Sequence, residues 1–416
     1  MRHSGIEWIG EIPKEWNLTR AKSFFTQRNS KGNESAVLLS ATQKQGMMPQ
    51  SLLEGVVQVN NNTDLQTFKT VHINDYVISL RSFQGGFEKS NYEGVCSPAY
   101  QVFYNIAPID HNYFWQLFKS YGFVDKINSL TVGIREGKNI QYKDFANMIL
   151  AVPPLSEQQK IANYLDKVCG EVDEMIALQE QMIEELKAYK QSVITEAVTK
   201  GLNPDVPMKD SGIAWIGEVP EGWNVSRLKY FSSFINGFAF SSDMFSLDKG
   251  CKVIRIGDIS QSLVFEGCVK ANVNTDALQS YRIKNNDIVI AMSGATTGKC
   301  CVAKNVEEAY INQRVGIIRC DNYSYVYYSL QTDYFMEYIN LNNAGSAQPN
   351  VSGTSIGNFP LLVPSESEQQ SIASYLDEKC AEIDDLIAIK QAKIEELKEY
   401  KKSIIYEYVT GKKEVV

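Results

Sequence analysis

The side chains that most often carry enzyme chemistry are sparse in this 416-residue chain. There are three histidines, His3, His72 and His111, and eight cysteines, none of them in a CxxC pair. An HExxH motif and a GxGxxG motif after a strand are both absent, and so few histidines leave no visible Ser/His/Asp grouping. We therefore predict no catalytic residue, no cofactor-binding residue, no metal site and no disulfide framework in this chain.

One segment resembles a phosphate-binding loop: GATTGK at residues 294–299, which follows an apolar run. A nucleotide-binding P-loop has four residues between its glycines and Ser or Thr after the lysine. Here three residues separate the glycines, and Cys300 follows the lysine. A nucleotide hydrolase is therefore disfavoured. Two interpretations stay open: a loop whose amides, hydroxyls and lysine contact a DNA phosphate, and a plain surface turn.

Polar and basic side chains are concentrated in this loop and in other loops rich in glycine. Asn and Gln can pair with adenine in the major groove, Arg can pair with guanine, and Lys can bind phosphate. For any one of these residues the alternative is an ordinary solvated loop position, but together they predict DNA contacts. The candidate DNA-binding residues are Arg81, Ser82, Gln84, Arg135, Lys138, Asn139, Ser293, Thr296, Thr297, Lys299, Gln313, Arg314, Gln348 and Asn350.

The sequence elements that must position these loops occur as an internal repeat. Residues 4–18 and 211–225 are identical at 10 of 15 positions, and residues 156–190 and 367–401 at 21 of 35. The segments between these blocks scarcely match. A weak echo remains near Asp75 and Asp287, and between GKNI at 137–140 and QPNV at 348–351. Each half is therefore a fixed opening, a divergent body and a fixed tail, which indicates one structural task done twice and recognition of two different targets.

The tails predict long helices. After Pro153-Pro154, apolar residues from Ile161 through Met175 and Tyr189 to Val193 recur every three or four positions, as in the seam of a coiled coil. Cys169-Gly170 suggests a break in the first helix, because glycine weakens a helix interior. We expect the two helices to pack antiparallel on each other. The charged IEELK runs on these helices have two open interpretations, an ordinary solvated face and a surface that docks a partner. The candidate partner-docking residues are Glu184, Glu185, Lys187, Glu395, Glu396 and Lys398.

The bodies read as mixed α/β, with short β-rich runs and one aromatic helical patch late in each body. The predicted fold class is α/β: two α+β bodies joined by two long antiparallel helices that form a coiled coil, with a pseudo-twofold internal repeat. The expected domains are residues 1–153 and 204–363 for the bodies, and 154–203 and 364–416 for the helices. The chain has 41 Lys+Arg and 49 Asp+Glu, a net charge of −8, and most of the excess acid lies on the helices. The bodies are therefore near neutral, which is compatible with DNA binding by local basic loops.

With this arrangement of repeated segments, the chain resembles the DNA-specificity subunit of type I restriction–modification systems over nearly its whole length. The most specific pieces are VPPLSEQQKIANYLD at 152–166, its partner VPSESEQQSIASYLD at 363–377, and INGFAFSS at 235–242. The second copy has Ser365-Glu366 in place of Pro154-Leu155, and the first body lacks an INGFAFSS counterpart. The two bodies would therefore have different targets.

The resemblance implies that each body is a target-recognition domain for one half of a bipartite asymmetric site in double-stranded DNA. The helices would set the spacer and dock two methyltransferase subunits. The chain would not be an enzyme and would bind no cofactor itself. S-adenosylmethionine would be used by the methyltransferase partner, for adenine-N6 methylation, and ATP and Mg by a restriction/translocase partner. No membrane-spanning segment is expected, and we expect a cytoplasmic protein.

Three other classes remain possible from the sequence. The first is a stand-alone sequence-specific DNA-binding protein without enzymatic partners. The second is a scaffold that joins two protein-binding modules and has no salt-dependent affinity for DNA. The third is an enzyme that acts alone, against which the missing catalytic motifs count.

Overall fold

The computed structural model describes residues 1–32, 36–42, 45–53, 65–79, 86–130, 140–214, 216–246, 249–260, 262–342 and 349–415. The chain divides into two compact units. Unit 1 contains Met1–Glu180 and Ala392–Val416, and unit 2 contains Gln181–Gln391. Each unit therefore combines one body with segments of both long helices. None of the helices that the structure describes has the length and apolar character needed to cross a bilayer.

Unit 1 contains short strands, three body helices and the first part of a long helix. Its strands are β1 Arg2–His3, β2 Glu11–Ile12, β3 Asn17–Arg20, β4 Phe25–Arg28, β5 Leu39–Thr42, β6 Gly46–Pro49, β7 Lys69–Val71, β8 Tyr76–Ile78, β9 Phe87–Lys89, β10 Gly94–Cys96, β11 Gln101–Asn105 and β12 Ile149–Val152. Its helices are α1 His111–Lys119, α2 Tyr121–Ser129, α3 Tyr142–Asn147 and α4 Leu155–Lys200, which continues into unit 2.

Unit 2 repeats this order of elements. Its strands are β13 Met208–Asp210, β14 Glu218–Pro220, β15 Asn224–Arg227, β16 Ser233–Asn236, β17 Phe245–Ser246, β18 Cys251–Ile254, β19 Lys270–Ala271, β20 Ile288–Ala291, β21 Cys300–Val302, β22 Ala309–Ile311, β23 Val315–Arg319 and β24 Pro360–Val363. Its helices are α5 Tyr323–Ser329, α6 Asp333–Asn342, α7 Gly353–Gly357 and α8 Glu366–Val409, which ends in unit 1.

The two bodies share a central antiparallel sheet although their sequences scarcely match. Its strand order is β4-β11-β8-β9 in unit 1 and β16-β23-β20-β21 in unit 2. Each body also has a two-stranded ladder that leads into a long helix, β3 with β12 and β15 with β24. In each unit, one face of the sheet packs on the body helices and on the long helices, where most of the buried apolar residues lie.

The weak sequence similarity near Asp75 and Asp287 corresponds to a turn that directly precedes an equivalent inner strand in each central sheet. Asn74 and Asn286 both adopt φ of 69°, in the left-handed region that Asn tolerates better than most residues. The aspartate that follows each of them, Asp75 or Asp287, accepts a hydrogen bond from the backbone N–H three residues earlier, at 2.9 and 2.7 Å. The same turn therefore begins β8 and β20.

Each of these aspartates also forms an ion pair with an arginine from another strand of the same sheet. Asp75 contacts Arg28 on β4 at 2.7 Å, and Asp287 contacts Arg319 on β23 at 2.6 Å. β4 and β23 are not equivalent strands of the two sheets, but the buried carboxylate is paired in both units. Buried charge without a partner is strongly destabilising, so the pair persists while the residue that supplies it changes.

The long helices pack antiparallel within each unit. In unit 1, Tyr164 of α4 packs on Tyr408 of α8, and Asp173 accepts hydrogen bonds from Lys401 at 2.6 and 2.7 Å. In unit 2, Lys190 of α4 binds Asp384 of α8 at 2.6 Å. The predicted pairing of the helices is confirmed, because residue numbers rise along one helix as they fall along the other.

Two expectations for the helices are wrong. Helix α4 runs without a break through Cys169 and Gly170. The cost of one glycine, about 1 kcal/mol, is offset because Leu165, Cys169 and Val172 are buried around it. Met175 and Tyr189, placed in the seam by their spacing, are 48% and 52% exposed. A second helix covers only a narrow stripe, so an apolar residue at the margin of that stripe remains in solvent.

Candidate nucleic-acid interface

The candidate interface is one edge of the central sheet of unit 2, where several strands begin or end. Strands β18 and β22 belong to a second sheet, in which they run parallel, and both end beside this edge, where the Asn312 N–H donates to the Ile254 carbonyl. Strand β20 also ends there, while its antiparallel neighbours β21 and β23 begin there. Antiparallel pairing places the end of one strand beside the start of the next. The connecting segments after residues 254, 291 and 311 therefore lie side by side.

The phosphate-loop-like segment is held at this edge by backbone contacts. Its N-terminal part forms a 3₁₀ turn, Gly294–Thr296. The Gly294 N–H donates to the carbonyl of Pro349 at 3.1 Å, and Ser293 forms an isolated bridge with Asn350. The Thr297 hydroxyl donates to the Gly294 carbonyl at 2.7 Å. The segment is therefore a fixed turn whose polar backbone is largely used internally.

The structure brings together the predicted residues of unit 2 that it describes. Lys299, Gln313, Arg314 and Asn350 are exposed at this edge. Ser293 and Thr296 are half-buried, and Thr297 is buried, with its hydroxyl bound to backbone carbonyls. The predicted residues that lie outside the described residues are Arg81, Ser82, Gln84, Arg135, Lys138, Asn139 and Gln348.

Two further residues at this edge escaped the sequence prediction. Arg255 directly follows β18 and is exposed, and Asn236 is the last residue of β16, paired with Gly316 at the start of β23. The β-rich run at residues 251–256 predicts a strand that would contain Arg255, but β18 ends at Ile254. Arg255 therefore follows the strand and lies at the edge, a difference of two residues that the apolar pattern does not resolve.

The charge at this edge is net basic. Among the described residues, no carboxylate lies within ion-pair distance of Lys299 or Arg314, whereas Arg255 has Asp258 at 3.8 Å. Uncompensated exposed cations at a loop edge are the pattern expected of a phosphate-binding surface. The edge can therefore bind an anion with Lys299 and Arg314, and offers the amides of Gln313 and Asn350 for base edges.

The cysteines next to this edge are not reactive groups. Burial raises the pKa of the Cys300 and Cys301 thiols to about 12, so both are protonated near neutral pH. Among the described residues, no group of three His, Cys, Asp or Glu side chains could hold a metal ion. The two thiols therefore act as small apolar residues in β21.

A Gly-x-Ser-x-Gly pattern, GTSIG, lies at Gly353–Gly357, but its context is not that of a catalytic serine. Such a serine stands on a sharp turn between a strand and a helix. Here the five residues are themselves the short helix α7, capped by Ser352, whose hydroxyl is 2.9 Å from that of Ser355. All three histidines of the chain also precede residue 112. The pattern is therefore a short helix capped by Ser352.

The repeated SEQQ motif joins each body to its long helix. Trp16 donates from Nε1 to Glu157 at 3.0 Å, and Trp223 donates to Glu368 at 3.1 Å. The next residue, Gln158 or Gln369, donates to the carbonyl of the proline five residues earlier, at 3.0 Å in both units. Trp16 and Trp223 are buried at this joint and pack in the same way in both units.

The predicted partner-docking residues are exposed on the long helices. Lys187 pairs with Glu184 at 2.7 Å, and Lys398 pairs with Glu395 at 2.8 Å, each within its own helix. Glu185 and Glu396 are exposed as well. Exposed pairs of this kind contribute roughly 0.3–0.5 kcal/mol, so their charges stay accessible to another molecule.

Large apolar side chains are exposed at equivalent positions of the two helices. These side chains lie at equivalent positions of the two repeated tails, so each of them on α4 has a counterpart on α8. The pairs are Met175 with Leu386, Leu178 with Ile389, and Tyr189 with Tyr400, all between 47% and 64% exposed. These apolar residues are therefore exposed in both copies of the repeat.

The structure defines a class of protein with an internal repeat. The same framework of sheet and long helices occurs in both units, and the loops at the ends of the sheet strands carry different side chains. The family model described as the type I restriction modification DNA specificity domain matches residues 13–188 and 220–409. The chain therefore belongs to that family.

Individual relatives agree with the family. A type I restriction enzyme specificity subunit, MjaVIII of Methanocaldococcus jannaschii, is 29% identical over 285 residues, which is 66% of this chain. The alignment spans 64% of that relative's own length.

Two solved structures share the fold at 15% identity. A chain from a type I R-M system, described for its complex assembly and conformational transition, has a TM-score of 0.73 and is matched over 96% of this chain and 98% of its own. The HsdS subunit from Thermoanaerobacter tengcongensis has a TM-score of 0.54, with 99% of this chain and 100% of that chain covered. The predicted fold class is thereby confirmed.

Proposed function

We propose that this chain is the DNA-specificity subunit of a type I restriction–modification complex, in which each body reads one half of a bipartite asymmetric site. One observation carries the proposal: the two bodies share a framework but differ in the side chains at equivalent positions of the loop edge. Lys299 and Gly86 are equivalent positions of the two units. The Lys299 carbonyl accepts a hydrogen bond from the Ala291 N–H, and the Gly86 carbonyl accepts one from the Ser79 N–H. A fixed frame with variable loop residues suits two different DNA targets.

The chain contributes recognition and leaves the chemistry to its partners. On this proposal a methyltransferase partner transfers the methyl group of S-adenosylmethionine to adenine N6, and a restriction partner uses ATP and Mg. The candidate residues at the edge of unit 2 divide by chemistry. Lys299 is a point charge suited to phosphate, whereas Gln313, Arg314 and Asn350 have the planar donors that distinguish base edges.

The helices support the docking of two methyltransferase subunits per chain. The exposed apolar residues and the charged residues of the IEELK segments occur once in each tail, at equivalent positions. A partner that binds one copy would find the same chemistry in the second. A stoichiometry of two methyltransferase subunits to one specificity subunit is expected by native mass spectrometry. A measured ratio of one to one would contradict it.

The test of the function is co-purification with candidate methyltransferase subunits, followed by sequencing of methylated adenines in a host that expresses the complex. The expected result is one bipartite motif with two unlike halves. Retention of duplex DNA should fall steeply between two salt concentrations, because phosphate contacts release counterions. Specific DNA binding by the chain without any partner would favour a stand-alone DNA-binding protein. No salt-dependent DNA affinity would favour a protein scaffold.

A further inference from the structure

The same four-residue turn precedes the equivalent strand in each unit, but it carries different side chains. In unit 2 the turn runs from Asn312 to Val315 and is closed by a hydrogen bond from Val315 N–H to the Asn312 carbonyl at 2.8 Å. In unit 1 the Tyr100 N–H donates to the Ser97 carbonyl at 3.0 Å. The two central residues are Gln313-Arg314 in unit 2 and Pro98-Ala99 in unit 1.

The equivalence of the two turns follows from the register of the strands beside them. Ala291 of β20 is paired with Val315 of β23, and Ile78 of β8 is paired with Gln101 of β11. Both turns therefore lie at the end of the central strand. Because proline and alanine build the turn in unit 1, the framework needs neither the amide of Gln313 nor the guanidinium of Arg314. A purely structural role for Arg314 is thus disfavoured.

The guanidinium of Arg314 is held in place by an amide and is not neutralised by a carboxylate. The Asn350 amide lies between the Arg314 guanidinium and the Met292 carbonyl, which fixes its orientation. With the amide oriented so that both of its polar atoms have a partner, its carbonyl accepts from an Arg314 terminal nitrogen and its nitrogen donates to the Met292 carbonyl, each at 3.2 Å. The backbone around Asn350 is itself fixed, since the Val351 N–H donates to the Met292 carbonyl at 2.9 Å. One donor of Arg314 is thus used for orientation, and the others have no partner among the described residues.

We propose that Arg314 reads a guanine in the major groove of the second half-site, and that Asn350 is the residue that positions it. The inference rests on the proposed function. A bidentate contact from arginine to O6 and N7 of guanine is the commonest base-specific contact in protein–DNA complexes. Holding a long side chain in one orientation before binding lowers the entropy lost when the contact forms. Lys299 supplies a phosphate contact at the same edge.

The experiment uses the full chain in complex with its methyltransferase subunits and a DNA library in which the second half-site is randomised. The main variant is Arg314→Ala, because alanine already occupies the equivalent position of the turn in unit 1 and the amide of Gln313 is kept. Arg314→Lys keeps the charge and removes the planar fork. Lys299→Ala is the matched control for a residue that contacts phosphate. Thermal unfolding of every variant checks that unit 2 remains folded.

Loss of preference for guanine at one position of the second half-site, by roughly ten- to hundredfold, is expected for both Arg314 variants. Asn350→Ala should relax the same position by a smaller factor, and the first half-site should be unchanged in all variants. Lys299→Ala should weaken methylation uniformly across sequences and lower the salt slope by about one.

The result that would overturn the inference is a set of Arg314 variants that fold and keep every preference in the second half-site, or lose them all uniformly. Failure of the proposed function gives a different outcome. In that case the unaltered chain itself would direct no methylation to any bipartite site.

Discussion

The indole nitrogen of Trp16 donates a hydrogen bond to the carboxylate of Glu157 across 3.0 Å, which ties the opening segment of unit 1 to the first turn of the 46-residue helix α4. Trp223 and Glu368 form the same contact in unit 2. The helix ends are matched as well. Gly411, just after α8, and Gly201, just after α4, both have positive φ and lie against the same two indoles. The joint between body and helix is therefore one design used twice.

Substitution of Trp16 by phenylalanine should lower the free energy of unfolding of unit 1. The ring is fully buried, so phenylalanine loses the hydrogen bond to a charged acceptor but retains most of the apolar contact. We expect a cost of about 1–3 kcal/mol, measured by urea denaturation. Trp223→Phe is the matched variant in unit 2, and the two costs should add, because the two contacts share no partner. An unchanged unfolding midpoint in both variants would show that the hydrogen bond contributes nothing.

The pair formed by Phe234 and Gly316 should be coupled in unit 2. A Cβ atom on Gly316 would lie 2.3 Å from the Phe234 ring, so Gly316→Ala should destabilise the unit by about 1–3 kcal/mol through overpacking. The equivalent pair in unit 1 is Gln27 with Gln101, whose side chains are 3.4 Å apart. Adding Phe234→Gln should therefore recover part of the loss. A double-mutant cycle by thermal unfolding measures the coupling, and simple additivity would argue against it.

The stability of unit 1 should depend on pH through Glu88. This carboxylate is buried, one oxygen contacts Lys119 at 2.5 Å, and the other has no partner among the described residues. Burial raises the pKa of Glu88 from 4.5 to about 7, although Lys119 opposes the shift. The folded state then binds the proton more tightly than the unfolded chain, so the Glu88 contribution to stability falls as the pH rises from about 4.5 to 7 and is constant above that.

The variant Glu88→Gln should remove this dependence and leave unit 1 more stable than the unaltered chain at pH 8, by at most about 3 kcal/mol. The measurement is urea denaturation at a series of pH values. Glu171→Gln is the control and should leave the pH profile unchanged, because it removes an exposed carboxylate from the part of α4 that belongs to unit 1. If Glu88→Gln and the unaltered chain had parallel profiles, the carboxylate would already be ionised at pH 5.

Lengthening the long helices should change the spacer of the recognised sequence and leave both half-sites intact. Four residues inserted after Glu180 and four after Gln391 add about 6 Å to each helix at the boundaries of the units. The internal contacts Asp173–Lys401 and Lys190–Asp384 are preserved. We expect a spacer longer by about one or two base pairs, since duplex DNA rises about 3.4 Å per base pair.

Sequencing of methylated adenines reads the spacer directly. The control replaces residues 181–184 with alanines at constant length and should keep the original spacer. Altered half-sites with an unaltered spacer would refute the role of the helices as the spacing element.

The sequence by itself determined the repeat and the two long helices, because these depend on local periodicity. The SEQQ motif marked the start of each long helix because it recurs in both tails, although the tryptophans that bind its glutamates lie 141 and 145 residues earlier. Tertiary structure decided which loops share an edge: Ser293 meets Asn350, and Met292 meets both Arg314 and Asn350, across separations of about 20 to 60 residues that no local pattern encodes. It also buried Thr297 and exposed Met175, because burial depends on which neighbouring element covers a position, and that neighbour comes from elsewhere in the chain.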